Sequence, residues 1–176
     1  MSRQVVRTKN FANDAANFIL EKASAAILEG GEFRMALSGG QTPRAVYSKL
    51  ATDPLPWDKT ILTFSDERCV PPEDEQSNFR MVSETLLKPA GVPESSVLRM
   101  RGEIEPSVAA WQYQEQLDAL ATDRGEKIYQ HDLILLGLGD DGHTASLFPG
   151  TTALSETTQR VVANYVTKLQ SWRLTF

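Results

Sequence analysis

The chain has 176 residues, a net charge of −5 with its two histidines neutral, and 41% hydrophobic against 23% charged residues. That is the composition of a soluble globular domain, without the basic stripe that nucleic acid demands and without an apolar run of membrane-spanning length. One cysteine, Cys69, excludes an internal disulfide, and with no apolar leader in residues 1–10 a reducing, cytoplasmic setting is expected.

Residues 4–7 read as a short opening strand. Phe11, Ala15, Phe18, Ile19, Ala26 and Ile27 recur on one helical face, and Gly30-Gly31 stops that helix. A strand over residues 34–37 gives way to Ser38-Gly39-Gly40-Gln41-Thr42-Pro43, where Thr42 is the expected N-cap and Pro43 the first helical residue. Val46, Tyr47 and Leu50 belong to the helix that follows. Residues 60–64 form the next strand, ending in Ser65-Asp66-Glu67-Arg68. Phe79, Val82 and Leu86 predict a helix over 77–87. Ala109, Tyr113, Leu117 and Leu120 predict a longer one with Pro106 near its start.

Residues 132–136 read as a buried parallel strand. A short helix near 144–148 and strands near 160–162 and 172–176 complete the series. Strands alternating with helices imply one α/β domain over residues 1–176, Rossmann-like, with a mainly parallel sheet flanked by helices. The last strand has no cap or closing helix after it. A C-terminal part is therefore expected to be missing, leaving a sheet edge prone to pairing or aggregation.

Three segments carry chemistry. Ser38-Gly39-Gly40-Gln41-Thr42-Pro43 stands where a strand becomes a helix: glycine amides, the helix N-terminus and the Ser38 and Thr42 hydroxyls form either an anion cradle or a plain capped turn. No Gly-Lys-Ser/Thr follows, so it is no Walker loop. Asp66-Glu67-Arg68 also follows a strand and is either a solvated charge cluster or a ligand rim, with Arg68 able to grip an anion and Asp66 or Glu67 able to accept from hydroxyls.

The third segment is Gly137-Leu138-Gly139-Asp140-Asp141-Gly142-His143-Thr144-Ala145-Ser146-Leu147-Phe148-Pro149. It sets His143 at a strand end with Asp141 two residues away, the arrangement of a general base and its orienting acid. His131, just before the same strand, is read as structural. One clustered histidine gives no recognisable zinc spacing. A nucleophile elbow is missing, and nothing marks a base for Cys69, which reads as a packing residue.

These three segments, with 64–70, 76–81 and 170–175 around them, resemble the 6-phosphogluconolactonase family in order and spacing. The resemblance implies a NagB/RpiA/CoA-transferase-like fold, shared with glucosamine-6-phosphate deaminase and ribose-5-phosphate isomerase. It also implies hydrolysis of 6-phospho-D-glucono-1,5-lactone, a sugar phosphate lactone, without organic cofactor or metal. Family members are longer than this chain. The deaminase loop resembles this one but carries a glutamate before its proline, where this chain has Phe148, and an aromatic residue where it has Arg68. The alternatives are a sugar-phosphate isomerase or deaminase of the glucosamine-6-phosphate type and a non-catalytic sugar-phosphate sensor. Under the resemblance, Ser38, Gly39, Gly40 and Thr42 hold the phosphate with Arg68 and Arg173. Asp66 or Glu67 contacts the sugar, and His143 with Asp141 and Arg68 does the chemistry.

Overall fold

The computed structural model describes residues 4–176. Its strands are β1 (Phe33–Leu37), β2 (Thr60–Phe64), β3 (Asp66–Arg68), β4 (Leu133–Ile134), β5 (Val162–Val166) and β6 (Ser171–Thr175). They form two sheets. One is parallel, in the order β2-β1-β4; the other is antiparallel, in the order β3-β6-β5. The parallel sheet is the one the alternation of elements predicts, and the antiparallel sheet is an addition to it. A single residue joins them: Ser65 donates from its N–H and its Oγ to Leu37 O, at 2.8 and 3.0 Å, and its carbonyl accepts from Phe176 N at 3.0 Å.

The helices are α1 (Phe11–Gly30), α2 (Gln41–Leu50), α3 (Asn78–Val82), α4 (Lys88–Ala90) and α5 (Pro106–Asp123), with a π-type stretch, Ser83–Leu87, making α3 to α4 continuous. α1 ends where the glycine pair requires, with Gly31 left-handed at φ 82°. It packs on α2 and β1 through Ala16, Ile19 and Ala23, whereas α5 covers β5 and β6. Phe33, Met35, Leu62, Phe64, Tyr113 and Leu174 are fully enclosed between these layers. Burying each such side chain stabilises the fold by about 1.5–3 kcal/mol. No helix among the described residues is long and apolar enough to cross a membrane.

Three expectations about the strands need correction. Residues 4–7 make no strand: no partner lies beside them, and Val5 and Val6 stay exposed. β4 is parallel to β1 but is not buried. It pairs on one side only, so Ile134 and Leu136 remain 46% and 56% exposed. Phe11 and Phe18, on the apolar face of α1, border an open apolar groove of about 460 Å³ shared with Leu135 and Leu136. The final strand leaves no free edge, because β6 is the middle strand of its sheet; the outer strands are β2 and β4 of one sheet and β3 and β5 of the other.

His131 does lie in a structural setting. Its Nε2 is 2.8 Å from Thr63 Oγ1, and its ring sits between Tyr129 and Phe176. Burial lowers its pKa to about 4, with the positive charge of Arg34 adding to the effect. An unfolded histidine takes up its proton near pH 6.5, so between pH 6.5 and 4 the unfolded chain binds more protons than the folded one. Stability is expected to fall by about 2 kcal/mol as pH drops through that window, allowing for partial exposure. Urea unfolding at pH 7 and pH 4 measures this. His131→Gln should flatten the dependence, and an unchanged slope would refute it.

Candidate active site

The carboxyl ends of β1, β2 and β4 open on one cleft of about 440 Å³. Ser38, Gly39, Gly40 and Thr42 line it after β1, with Asp66 and Arg68 on β3, His143 after β4, and Arg173 on β6. Open α/β sheets bind ligands at this edge.

The first wall is the turn into α2. Tyr47, one and a half turns into the helix, folds back: its hydroxyl donates to Ser38 O at 2.8 Å and accepts from Ser38 N at 3.0 Å, locking the turn. Burial pushes the Tyr47 phenol far up, so it stays protonated and able to donate. Thr42 is not the N-cap. The helix begins one residue before it, Gly40 takes the capping position at φ 101°, and no side chain caps the first amides. An uncapped helix N-terminus facing a cleft is an anion site in waiting. Gly39 is required for a different reason: a Cβ there would lie 1.9 Å from Asn78 Oδ1.

Asn78 in turn is fixed by Glu67. Glu67 accepts from Arg68 N and Asn78 N through Oε1, at 2.7 and 2.8 Å. Through Oε2 it accepts from Phe79 N and Ser77 Oγ, at 2.8 and 3.1 Å. Burial raises its pKa, against the pull of these amides and of Arg68. Every lone pair is used, and the carboxylate turns away from the cleft. Glu67 therefore leaves the expected sugar-contacting pair, and Asp66 is the one that faces inward.

Asp66 is also buried, and desolvation raises its pKa. The Ser146 hydroxyl, donating to Oδ2 at 2.8 Å, and the charges of Arg68 and Arg173 pull it the other way. Arg68 and Arg173 are direct partners in the β3–β6 register. Like charges directly opposed destabilise a sheet. Arg173 is only 8% exposed, and desolvation, with Arg68 adding to it, lowers its pKa, yet an arginine remains charged. Such a pair favours an anion in front of it.

The opposite wall is the loop after β4. Gly139 N donates to His143 O at 2.8 Å, and Gly142 N to Gly139 O at 2.9 Å, closing a tight turn. Asp141 Oδ1 lies 2.5 Å from His143 Nδ1. A carboxylate can only accept, so Nδ1 carries the proton and the neutral ring keeps its lone pair on Nε2. Phe148 stacks on the imidazole with centroids 4.0 Å apart. The expected helix at 144–148 does not form. Ala145 is left-handed at φ 48°, and Ser146 spends its groups on the neighbouring sheet: its N–H donates to Thr175 Oγ1 at 3.2 Å, and its carbonyl accepts from Asn164 Nδ2 at 2.9 Å.

Gly139 supports the imidazole directly, because a Cβ would lie 2.1 Å from His143 Cε1. Gly139→Ala is therefore expected to tilt the ring and lower turnover by about 10- to 100-fold with little change in thermal stability. A steady-state assay beside a melting curve checks this; full activity would show that the ring can shift without cost.

Lys168, Ser146 and Asn78 were not singled out by sequence reasoning. Lys168 and Ser146 line the cleft, and Asn78 braces it. Cys69 packs partly buried with its thiol pushed up to about 11 by desolvation, which suits no nucleophile. Among the described residues, no group of three or more His, Cys, Asp or Glu side chains converges as a metal-ligand set would.

The family profile described as glucosamine-6-phosphate isomerases/6-phosphogluconolactonase matches residues 7–176. A 6-phosphogluconolactonase of Treponema pallidum is 45% identical over 119 residues, covering 65% of this chain and 48% of that protein. One from Nostoc is 38% identical over 139 residues, covering 78% of this chain and 58% of its own length. The crystal structure of 6-phosphogluconolactonase from Thermotoga maritima superposes with a TM-score of 0.86 at 28% identity, covering 98% of this chain and 75% of that one. The chain thus spans about half to three-fifths of the curated relatives it matches. On the profile match and these identities, it belongs to the glucosamine-6-phosphate isomerase/6-phosphogluconolactonase family.

Proposed function

We propose that this site hydrolyses 6-phospho-D-glucono-1,5-lactone to 6-phospho-D-gluconate, the lactone-opening step of the oxidative pentose phosphate pathway, in the cytoplasm. The observation that carries the reading is one cleft with an oriented imidazole on one wall and an arginine pair with an uncapped helix N-terminus on the other. The phosphate rests on the Gly39 and Gly40 amides and the Ser38 and Thr42 hydroxyls, facing Arg68 and Arg173. Anchored there, its binding energy orients the distant carbonyl carbon. Asp66 accepts from a sugar hydroxyl.

His143 Nε2 removes a proton from water as the oxygen attacks C1. Asp141 holds the ring through Nδ1–H and stabilises the imidazolium that forms. The tetrahedral oxyanion is met by Arg68 or by loop amides. Collapse breaks the bond from C1 to the ring oxygen, and the imidazolium returns its proton to that oxygen. One water is consumed, and no covalent intermediate forms. An isomerase or deaminase of this family needs a carboxylate where Phe148 stands, and Phe148 moves no protons.

The test is loss of freshly made lactone above its spontaneous rate, with glucosamine 6-phosphate as the control substrate. Fast lactone loss without ammonia release supports the reading. Ammonia release overturns it in favour of a deaminase. Binding of 6-phosphogluconate without turnover favours a sensor.

A further inference from the structure

Asp141 has a second partner. Lys168, in the turn between β5 and β6, donates from Nζ to Asp141 Oδ2, while Oδ1 faces His143 Nδ1. The same ammonium lies 4.9 Å from the centroid of the Phe148 ring, whose own position is against the imidazole. Lys168 is thus held at two points, and both lead to His143. Its place is set by an unusual turn: Gln170, a non-glycine residue, is left-handed at φ 48° as the chain reverses into β6.

We propose that Lys168 is a positioning residue for the lactone-hydrolysing base, acting through Asp141 rather than on the substrate; this rests on the function proposed above. A partly exposed carboxylate with a single partner can swing into solvent, and without it either ring nitrogen can carry the proton. Anchoring Oδ2 on an ammonium keeps Asp141 from swinging away, so Oδ1 stays on Nδ1–H and the tautomer with Nε2 bare is held. The other charged groups around the imidazole do not duplicate this. Asp66 acts from β3 with its carboxylate tied to Ser146, and Arg68 and Arg173 line the far wall of the cleft. Cation–π contact with Phe148 adds a second restraint, which keeps the ammonium near Asp141 although the Lys168 side chain is half exposed.

The experiment compares Lys168→Met and Lys168→Arg in the full chain. The chain has only two histidines, so the ring nitrogens of His143 are assigned in 15N NMR by removing His131. At a pH where the ring is neutral, wild type should show the single tautomer protonated at Nδ1. Lys168→Met should show both tautomers, and Lys168→Arg should restore the single one. Turnover should fall about tenfold in the methionine variant with KM within twofold, and arginine should recover most of it.

An unchanged tautomer in Lys168→Met overturns the proposal. A KM raised tenfold with unchanged turnover does so too, making Lys168 a direct ligand of the phosphate. The NMR result is read without substrate, so it decides the role of Lys168 even if the lactone is not turned over.

Discussion

His143→Ala is expected to lower lactone hydrolysis by about 10²- to 10⁴-fold while leaving the fold and product binding intact. The size follows from what is lost. Water is a poor nucleophile, and Nε2 is the bare basic nitrogen that the Asp141 contact turns toward the cleft. The proposed phosphate anchors, Arg68, Arg173 and the start of α2, stand on other elements and should remain in place. KM should therefore move little. The measurement is a progress curve of lactone loss corrected for its spontaneous hydrolysis, with 6-phosphogluconate affinity determined in parallel. A variant retaining more than a tenth of the activity would remove His143 from the role of base.

The second large effect is on stability. Glu67→Ala should cost about 3–5 kcal/mol, a large share of the total for a domain of this size. Three backbone amides, those of Arg68, Asn78 and Phe79, and the Ser77 hydroxyl lose their acceptor together in a buried place. Glu67→Gln should cost about half as much, because its amide keeps one acceptor and turns a donor toward donors. Urea titration with matched m-values decides it, and a loss under about 1 kcal/mol would mean that water replaces the carboxylate freely. Because Asn78 braces Gly39, both variants should also weaken phosphate binding.

How much of this was legible beforehand depends on range. β1, β2, α2 and α5 follow from apolar periodicity and punctuation within a dozen residues, and they stand where the sequence predicts. Ser38 to Thr42, Asp66, Arg68 and His143 were found because strand ends in an α/β pattern share one rim. Long-range pairing was not legible. Nothing local separates Glu67 from Asp66; the difference is that the start of α3 lies over one and the cleft over the other. Lys168 was hidden because its turn has no glycine to announce it, and only the β5–β6 register brings it to Asp141. The stretch at 144–148 has helical composition, yet Ser146 finds better partners on a sheet remote in sequence.

That last feature reaches beyond the loop. Ser146 is bonded through its amide, carbonyl and hydroxyl to β6, β5 and β3, the three strands of the antiparallel sheet. The other end of the same loop continues directly from β4 of the parallel sheet. The loop that carries the imidazole is thereby tied to both sheets. Amide exchange at Ser146 should follow the slow antiparallel sheet, whereas the amides of 137–142 should exchange with the frayed edge at β4. The nitrogen proposed to activate water is thus carried on a loop that bridges the two sheets, so a displacement of one sheet against the other would be felt at the base.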